Sequence, residues 1–182
     1  MTRNSRNDIW VFAYGSLMWR PDFEFIESEP AQLRGYHRAF CIFSHIYRGS
    51  PENPGLVLGL DAGGSCRGRA FRLSPKTAPG ILAAIDAREM IYHVYRERRL
   101  PVSLIARDGK PRVEAHTYVA DRAGPQYTGK LTRARMVKLI RQGRGTSGSA
   151  RDYLTNTVHH LNQLGLPDSR LQSLLQDVNA ED

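Results

Sequence analysis

Cysteine is scarce in this sequence, and neither of its cysteines belongs to a metal or redox motif. Cys41 and Cys66 lie far apart and outside any C-x-x-C pattern. The sequence therefore predicts neither a zinc site nor a disulfide scaffold. We expect both thiols to be reduced, as is usual for a cytoplasmic protein.

Long hydrophobic runs are also missing. Gly, Arg or Asp interrupts every apolar segment within about 10 residues, well short of the ~20 apolar residues that cross a bilayer. The segment 1–8 is polar, whereas a secretory signal contains an apolar stretch of roughly 7 to 15 residues. We expect a soluble, cytoplasmic protein with no membrane partner.

Sequence motifs for nucleotides and metals are absent as well. There is no Walker A loop and no G-x-G-x-x-G segment that opens a helix, so no nucleotide cofactor is indicated. His159 and His160 are adjacent and would point about 100° apart on a helix, which prevents both from binding one ion. His93 and Glu97 are four residues apart, but their segment has strand character. We expect no metal and no cofactor.

The chain carries an excess of positive charge. It contains 26 Lys and Arg against 18 Asp and Glu, a formal net charge of +8. Part of the excess lies on and just after one predicted helix: Arg133, Arg135, Lys138, Arg141, Arg144 and Arg151. No interleaved aromatic residues or recognition motif accompany these charges, so a solvated helix face is favoured over a nucleic-acid footprint. A basic surface also suits a small acidic substrate.

The distribution of β-type and helical patterns predicts an α+β fold. A chain of 182 residues is in the single-domain range. Apolar, β-branched and aromatic runs predict strands at 9–14, 32–47, 56–60, 66–73, 95–106 and 112–120. Loop-type compositions occupy 49–55 and 61–65, and Asp108-Gly109 predicts a hairpin.

Helical spacing predicts four helices, most of them in the last third of the chain. Strands first and helices last indicate a mixed or antiparallel sheet that is curved or closed. The first predicted helix follows a cap at Ser74 or Thr77 and ends near Met90. The second runs from a Thr132 cap to Gly143, the third runs from Ser149 to Gly165, and the fourth starts at an Asp168 cap.

Glu89 is a candidate catalytic residue because of its predicted position on a helix. On the first helix it falls between Ile85 and Leu82 on the stripe that faces the core. Burial and the negative end of the helix dipole both disfavour the ionised carboxylate, so we expect its pKa to be raised. A glutamate with a raised pKa suits general acid/base catalysis. The alternative is a structural ion pair with Arg88 or another arginine.

The loop after the first strand is a second candidate. In the segment 14–17, Gly15 permits either a positive φ or a close approach of the backbone to a ligand. Exposed amides there would bind a carboxylate or an oxyanion; the alternative is an ordinary turn at a strand end. Ser16 is not predicted to be a nucleophile, because the G-x-S-x-G elbow is absent and no His and Asp partners are indicated.

Taken together, five stretches resemble the ChaC branch of the γ-glutamylcyclotransferase family. The similarity extends from about Trp10 to Leu175 and is specific because the stretches occur together. They are V-F-A-Y-G-S-L-M-W-R-P-D-F at 11–23, the block 54–61 with G-G-S-C-R-G at 63–68, R-E-M at 88–90 followed by Tyr95, Tyr127-x-Gly129, and Ser147-Gly148 with D-Y-L at 152–154.

The resemblance implies a fold, an activity and a set of site residues. The fold would be a single domain over 9–178, a curved mixed sheet or barrel with peripheral helices, with flexible termini at 1–8 and 179–182. The activity would be cleavage of glutathione to 5-oxoproline and cysteinylglycine without a cofactor, and the substrate would be glutathione or a related γ-glutamyl peptide. Glu89 would be the acid/base residue, and the substrate would bind to Phe12, Ala13, Tyr14, Gly15, Ser16, Leu17 and Tyr127.

Two positions depart from the pattern of that family. Ala13 stands where the family usually has glycine, and His93 stands where bacterial relatives often have glycine. The added methyl group would narrow the pocket, and the imidazole would alter its rim. Neither change affects Glu89. The competing interpretation of the whole chain is a basic module that binds nucleic acid or protein and retains the fold without catalysis.

Overall fold

The computed structural model describes residues 8–89 and 93–180, and this part of the chain forms two compact units. The first unit contains 8–38, 60–89 and 93–119, and the second contains 39–59 and 120–180. Met90 and residues 1–7 and 181–182 of the predicted flexible termini lie outside the described residues.

Five strands form a closed barrel in the order β1-β3-β2-β4-β5. β1 pairs antiparallel with β3 and parallel with β5, and β2 pairs antiparallel with β4. The predicted mixed, closed sheet and the α+β class are therefore confirmed, as is the pairing across Asp108-Gly109. The strands are β1 (Ile9–Ala13), β2 (Glu27–Ser44), β3 (Gly55–Leu73), β4 (Tyr95–Leu104) and β5 (Arg112–Ala120).

β1 is a buried strand of the first unit. Residues 10–13 are all buried, so both faces of the strand are covered, which explains its uninterrupted apolar sequence. Trp10 and Phe12 are 2% and 1% exposed and belong to a core cluster with Leu33 and Leu104. Burial of two such aromatic side chains contributes roughly 1.5–3 kcal/mol each. β1 thus fixes the start of the segment that follows it.

The predicted loop at 61–65 is wrong, because these residues continue one long strand, β3. Gly63 and Gly64 have φ values of +100° and +71°, and glycine adopts such values without steric penalty. The strand bends at this point and does not end. The sequence of a Gly-Gly pair therefore does not distinguish a bend within a strand from a loop.

β2 begins at Glu27, earlier than the predicted residue 32. Its first residues are polar because their carboxylates bind arginines in the first unit. Glu27 accepts hydrogen bonds from Arg72 (2.7 Å) and Arg107 (2.9 Å), and Glu29 pairs with Arg107 at 2.5 Å. Charge pairing replaces the hydrophobic alternation by which a strand is usually recognised.

The four predicted helices are present. None of the helices within 8–89 and 93–180 combines the length and apolar character that spanning a membrane requires. Two short strands, β6 (Arg144–Gly145) and β7 (Gly148–Ser149), pair in the second unit. The helices are α1 (Ala78–Glu89), α2 (Arg133–Gln142), α3 (Ala150–Gln163) and α4 (Ser169–Asn179).

The caps of three helices follow the sequence signals. Thr132 accepts a hydrogen bond from the Arg135 amide, and Ser149 accepts one from the Asp152 amide. Asp168 caps α4 in the same way, binding two amides of its first turn. Each such cap typically stabilises a helix by about 1 kcal/mol. These predictions succeeded because capping is local in sequence.

Candidate active site

Glu89 is the last described residue of α1, and it lies on the inward face of that helix. Ile85, one turn earlier, is 4% exposed, and the Glu89 side chain is 20% exposed. This arrangement confirms the predicted stripe, because residues four apart share one face of a helix.

The protonation of Glu89 follows from its surroundings. Burial raises the pKa of this carboxyl above its ordinary value, and the nearby positive charge of Arg88 opposes the rise. The raised pKa confirms the expected direction. The Arg88 Nε atom is 3.6 Å from Glu89 Oε1, so the ion pair considered in the sequence analysis exists. It is too loose to offset the desolvation of the carboxylate.

The loop after β1 forms a 3-10 turn, Ser16–Met18. Gly15 has a φ of −131°, so a positive φ does not explain the glycine. The Met18 amide donates to the Gly15 carbonyl at 2.9 Å, and the Arg20 amide donates to the Ser16 carbonyl at 2.8 Å. Leu17 is buried beneath the turn. The loop is thus a defined structure.

A buried arginine holds the start of this loop. Arg38 is 5% exposed. Its Nε donates to the Tyr14 carbonyl at 2.6 Å, and its Nη2 donates to the Arg67 carbonyl at 2.5 Å. Sequence reasoning missed Arg38, although an arginine just before the apolar run 39–43 was a usable signal for a buried, paired charge.

Arg88 joins the loop to the helix that carries Glu89. Its Nη2 donates to Ser16 Oγ at 2.9 Å, and its Nη1 lies 3.3 Å from Asp22 Oδ2. The two predicted parts of the site, the loop and Glu89, are therefore brought together in the first unit. No spacing rule links positions so far apart in the chain.

A second contact holds the last turn of α1 against β5. Tyr118 is 3% exposed, and its hydroxyl donates to Asp86 Oδ1. Burial, this hydrogen bond and the negative charges of Asp86, Glu97 and Glu89 all raise the pKa of Tyr118. Tyr118 therefore stays protonated and remains a donor. No local sequence pattern links Tyr118 to Asp86.

The other predicted binding residues of the first unit lie at the end of β1. Phe12 and Ala13 are buried and pair with Ala70 and Arg69 of β3. Their role in binding stays a prediction.

His93 has a φ of +51°, a left-handed conformation that glycine adopts more easily. That conformation explains why glycine is suited to this position.

Tyr127 belongs to the second unit. It forms an isolated bridge with Ile42, and its amide donates to the Gly124 carbonyl at 3.1 Å. The guanidinium of Arg122 lies 5.6 Å from the centre of its ring. The backbone of Tyr127 is therefore fixed, while its part in substrate binding stays a prediction.

Tyr127→Phe is expected to raise KM by roughly 2- to 10-fold, since one neutral hydrogen bond contributes about 0.5–1.5 kcal/mol. The melting temperature should not change, because the backbone contacts do not involve the hydroxyl. Steady-state kinetics on glutathione, the substrate that the resemblance implies, measure the effect. Tyr153→Phe, which removes a hydroxyl from the same unit, is the control. Equal kinetics for the wild type and Tyr127→Phe would assign Tyr127 to packing.

Comparisons with known proteins identify the family to which this chain is similar. A model of the family described as ChaC-like protein matches residues 9–181. The glutathione-specific γ-glutamylcyclotransferase of Escherichia coli is 37% identical, over 97% of this chain and 75% of that protein. The human glutathione-specific γ-glutamylcyclotransferase 1 is 31% identical, over 96% of this chain and 81% of that protein.

The fold has solved counterparts. A crystal structure of a γ-glutamyl cyclotransferase specific to glutathione from yeast superimposes with a TM-score of 0.82 at 24% identity. The superposition covers 94% of this chain and 96% of the yeast chain. With its family match over almost its entire length, this chain belongs to the ChaC-like family.

Proposed function

We propose that this protein is a γ-glutamylcyclotransferase that cleaves glutathione to 5-oxoproline and cysteinylglycine. Relatives from bacteria, yeast and human carry the name glutathione-specific γ-glutamylcyclotransferase. The observation in this chain that carries the proposal is the position of Glu89. Its carboxyl is largely buried, has a raised pKa and lies next to the arginine that binds the loop after β1.

The reaction requires proton transfers to and from the substrate, and it does not require a nucleophile from the protein. The α-ammonium of the γ-glutamyl group first gives a proton to the Glu89 carboxylate, because an ammonium has no lone pair with which to attack. The neutral amine then attacks the γ-carbonyl carbon and closes a five-membered ring. The γ-amide C–N bond breaks, and Glu89 returns the first proton to the departing nitrogen of cysteinylglycine. The second proton that the ring nitrogen must lose passes through the same carboxylate to that nitrogen, so cysteinylglycine leaves as its ammonium form. Charge and atoms balance without a cofactor.

The loop would supply the geometry of this step. Intramolecular attack gains up to ~7–11 kcal/mol when the reacting groups are held in line. In this proposal the backbone amides of 12–17 bind the γ-glutamyl end, and the negative charge that develops on the γ-carbonyl oxygen is stabilised by hydrogen bonding. The fixed 3-10 turn, with its buried Leu17, supports this role because donors held in place reorganise little during the reaction.

The alternative, a basic module without catalysis, is not favoured by the arginines that suggested it. In the second unit, Arg133 donates to Asp177 Oδ2 at 2.6 Å and to Ser173 Oγ at 2.9 Å. Arg141 donates to the carbonyl of Val178 at 3.1 Å. Both side chains bind α4, so part of the predicted basic face stabilises the helices.

Incubation with glutathione tests the proposal directly. Purified protein should release 5-oxoproline and cysteinylglycine in equal amounts. N-acetylglutathione, whose blocked amine has no lone pair available for attack, should not be cleaved. Failure to release 5-oxoproline, together with polynucleotide binding that weakens steeply between ~50 and ~200 mM salt, would favour the alternative.

Activity is expected to survive exhaustive treatment with EDTA. Within 8–89 and 93–180, no group of three or more His, Cys, Asp and Glu side chains is placed to hold a metal. The measurement is the rate of 5-oxoproline release before and after chelation and dialysis. Loss of activity that one divalent ion restores would contradict the cofactor-free mechanism.

The proposed location is the cytoplasm. Cys41 and Cys66 are buried free thiols, and reduced cysteines are typical of that compartment.

A further inference from the structure

Arg88 makes several contacts within the first unit, although it lies at an exposed helix end. Its side chain is 38% exposed. The guanidinium donates to Ser16 Oγ at 2.9 Å and to the Arg20 carbonyl at 3.4 Å, and it pairs with Asp22 Oδ2 at 3.3 Å. Its Nε faces Glu89 Oε1 at 3.6 Å. Four groups from two segments converge on one side chain.

These contacts divide between the two parts of the proposed site. Ser16 begins the 3-10 turn, and Arg20 and Asp22 follow it directly. Asp22 has a φ of +54°, a conformation that a non-glycine residue adopts at some energetic penalty. The planar guanidinium of Arg88 is suited to these contacts because its donors point in several fixed directions.

We propose that Arg88 is a positioning residue that holds the loop at 14–22 in place relative to Glu89, so that the substrate's amine and γ-carbonyl meet the carboxylate in a reactive geometry. This inference rests on the proposed function. Arg88 does not exchange a proton in the reaction. It acts through Ser16 and Asp22 on one side and through Glu89 on the other.

The charge of Arg88 has a second, separable effect. Its positive charge favours the ionised form of Glu89 and lowers the pKa that burial raises. Without that charge, the base form of Glu89 would appear only at higher pH, and the acidic limb of kcat/KM would move upward. Among the described residues, the charged or titratable groups near this turn include Asp86 on α1, Tyr118 on β5, Glu97 on β4 and Asp22 after the 3-10 turn.

Two substitutions separate these effects. Arg88→Lys keeps the charge, but a single ammonium does not reproduce the fork that binds Ser16, Asp22 and a carbonyl. We expect kcat to fall by roughly 10- to 100-fold, as for a small misplacement of reacting groups, with the acidic limb unchanged. Arg88→Met removes the charge as well, so it should show a similar fall in kcat and an upward shift of the limb.

A double-mutant cycle identifies the partner. If Arg88 acts through the hydroxyl of Ser16, the effects of Arg88→Met and Ser16→Ala on kcat should be strongly non-additive. Arg72→Met is the matched control, because Arg72 pairs with Asp8 and Glu27 in the same unit but makes none of these contacts. It should lower the melting temperature without changing kcat or the pH profile of the folded fraction.

Hydrogen exchange of the peptide covering 14–22 tests the inference independently of activity. Exchange should be faster in Arg88→Met than in the wild type and unchanged in Arg72→Met. An active wild type whose Arg88 variants retain kcat and loop protection would overturn the positioning role. If the wild type itself does not cleave glutathione, the proposed function fails, and faster exchange would then still support Arg88 as the residue that holds the loop.

Discussion

Glu89→Gln should reduce kcat by about 10² to 10⁴ while the protein remains folded, because general acid/base groups typically contribute that much. Glutamine preserves the shape of the side chain and its capacity for hydrogen bonds, but it does not accept a proton at neutral pH. Glutathione binding should persist. The measurements are kcat from 5-oxoproline release and Kd from calorimetry on the same preparation.

The stability of this variant separates catalysis from a structural ion pair. Burial raises the folded-state pKa of Glu89, so the contribution of this group to stability is present at low pH and is lost as the pH rises through that value. Glutamine carries no charge and avoids this penalty. We therefore expect the melting temperature of Glu89→Gln at neutral pH to equal or slightly exceed that of the wild type. The difference should disappear in acid.

Glu114→Gln is the matched control, since Glu114 is an exposed carboxylate in the same unit. It should leave both kcat and the melting temperature near those of the wild type. A Glu89→Gln variant that keeps its turnover but melts well below the wild type would show that the loose pair with Arg88 is a structural contact. The acid/base role would then have to be given up.

The features predicted from the sequence are those whose physical cause is local. β1 was recognisable because a strand that is buried on both faces is apolar throughout, and α2, α3 and α4 were recognisable by their capping residues. Glu89 was found because helical periodicity alone places it beside Ile85 on the buried face. In each case the determining residues lie within a few positions of one another.

The features that were missed depend on contacts between distant segments. Arg38 holds the loop at Tyr14, and Tyr118 holds α1 through Asp86. A single sequence carries no signal that pairs such positions. The bent strand β3 was missed for a different reason, since Gly63 and Gly64 serve equally well in a loop or in a bend. Local chemistry therefore placed Glu89 on the buried face of α1, but it did not reveal the distant groups that hold the loop and the helix.

Gly68→Ala is expected to destabilise the first unit severely, by about 3 kcal/mol or more, at the upper end of what overpacking usually produces. A Cβ atom at Gly68 would lie 2.2 Å from the Ala13 carbonyl oxygen and 2.8 Å from the Phe12 ring. The nearer atom belongs to the backbone of β1, so the clash is not relieved by rotation of a side chain. β1 would have to move away from β3, and the loop that follows it would move as well. Chemical denaturation measures the loss, and the surviving folded fraction should also show reduced kcat.

Gly80→Ala is the matched control, because Gly80 lies in α1 with no neighbouring atom within 4 Å of the added carbon. It should stabilise the protein by roughly 0.5–1 kcal/mol through its helix propensity. A Gly68→Ala variant as stable as the wild type would show that β1 and β3 do not pack this closely, and the placement of the loop at 14–17 would then need to be revised.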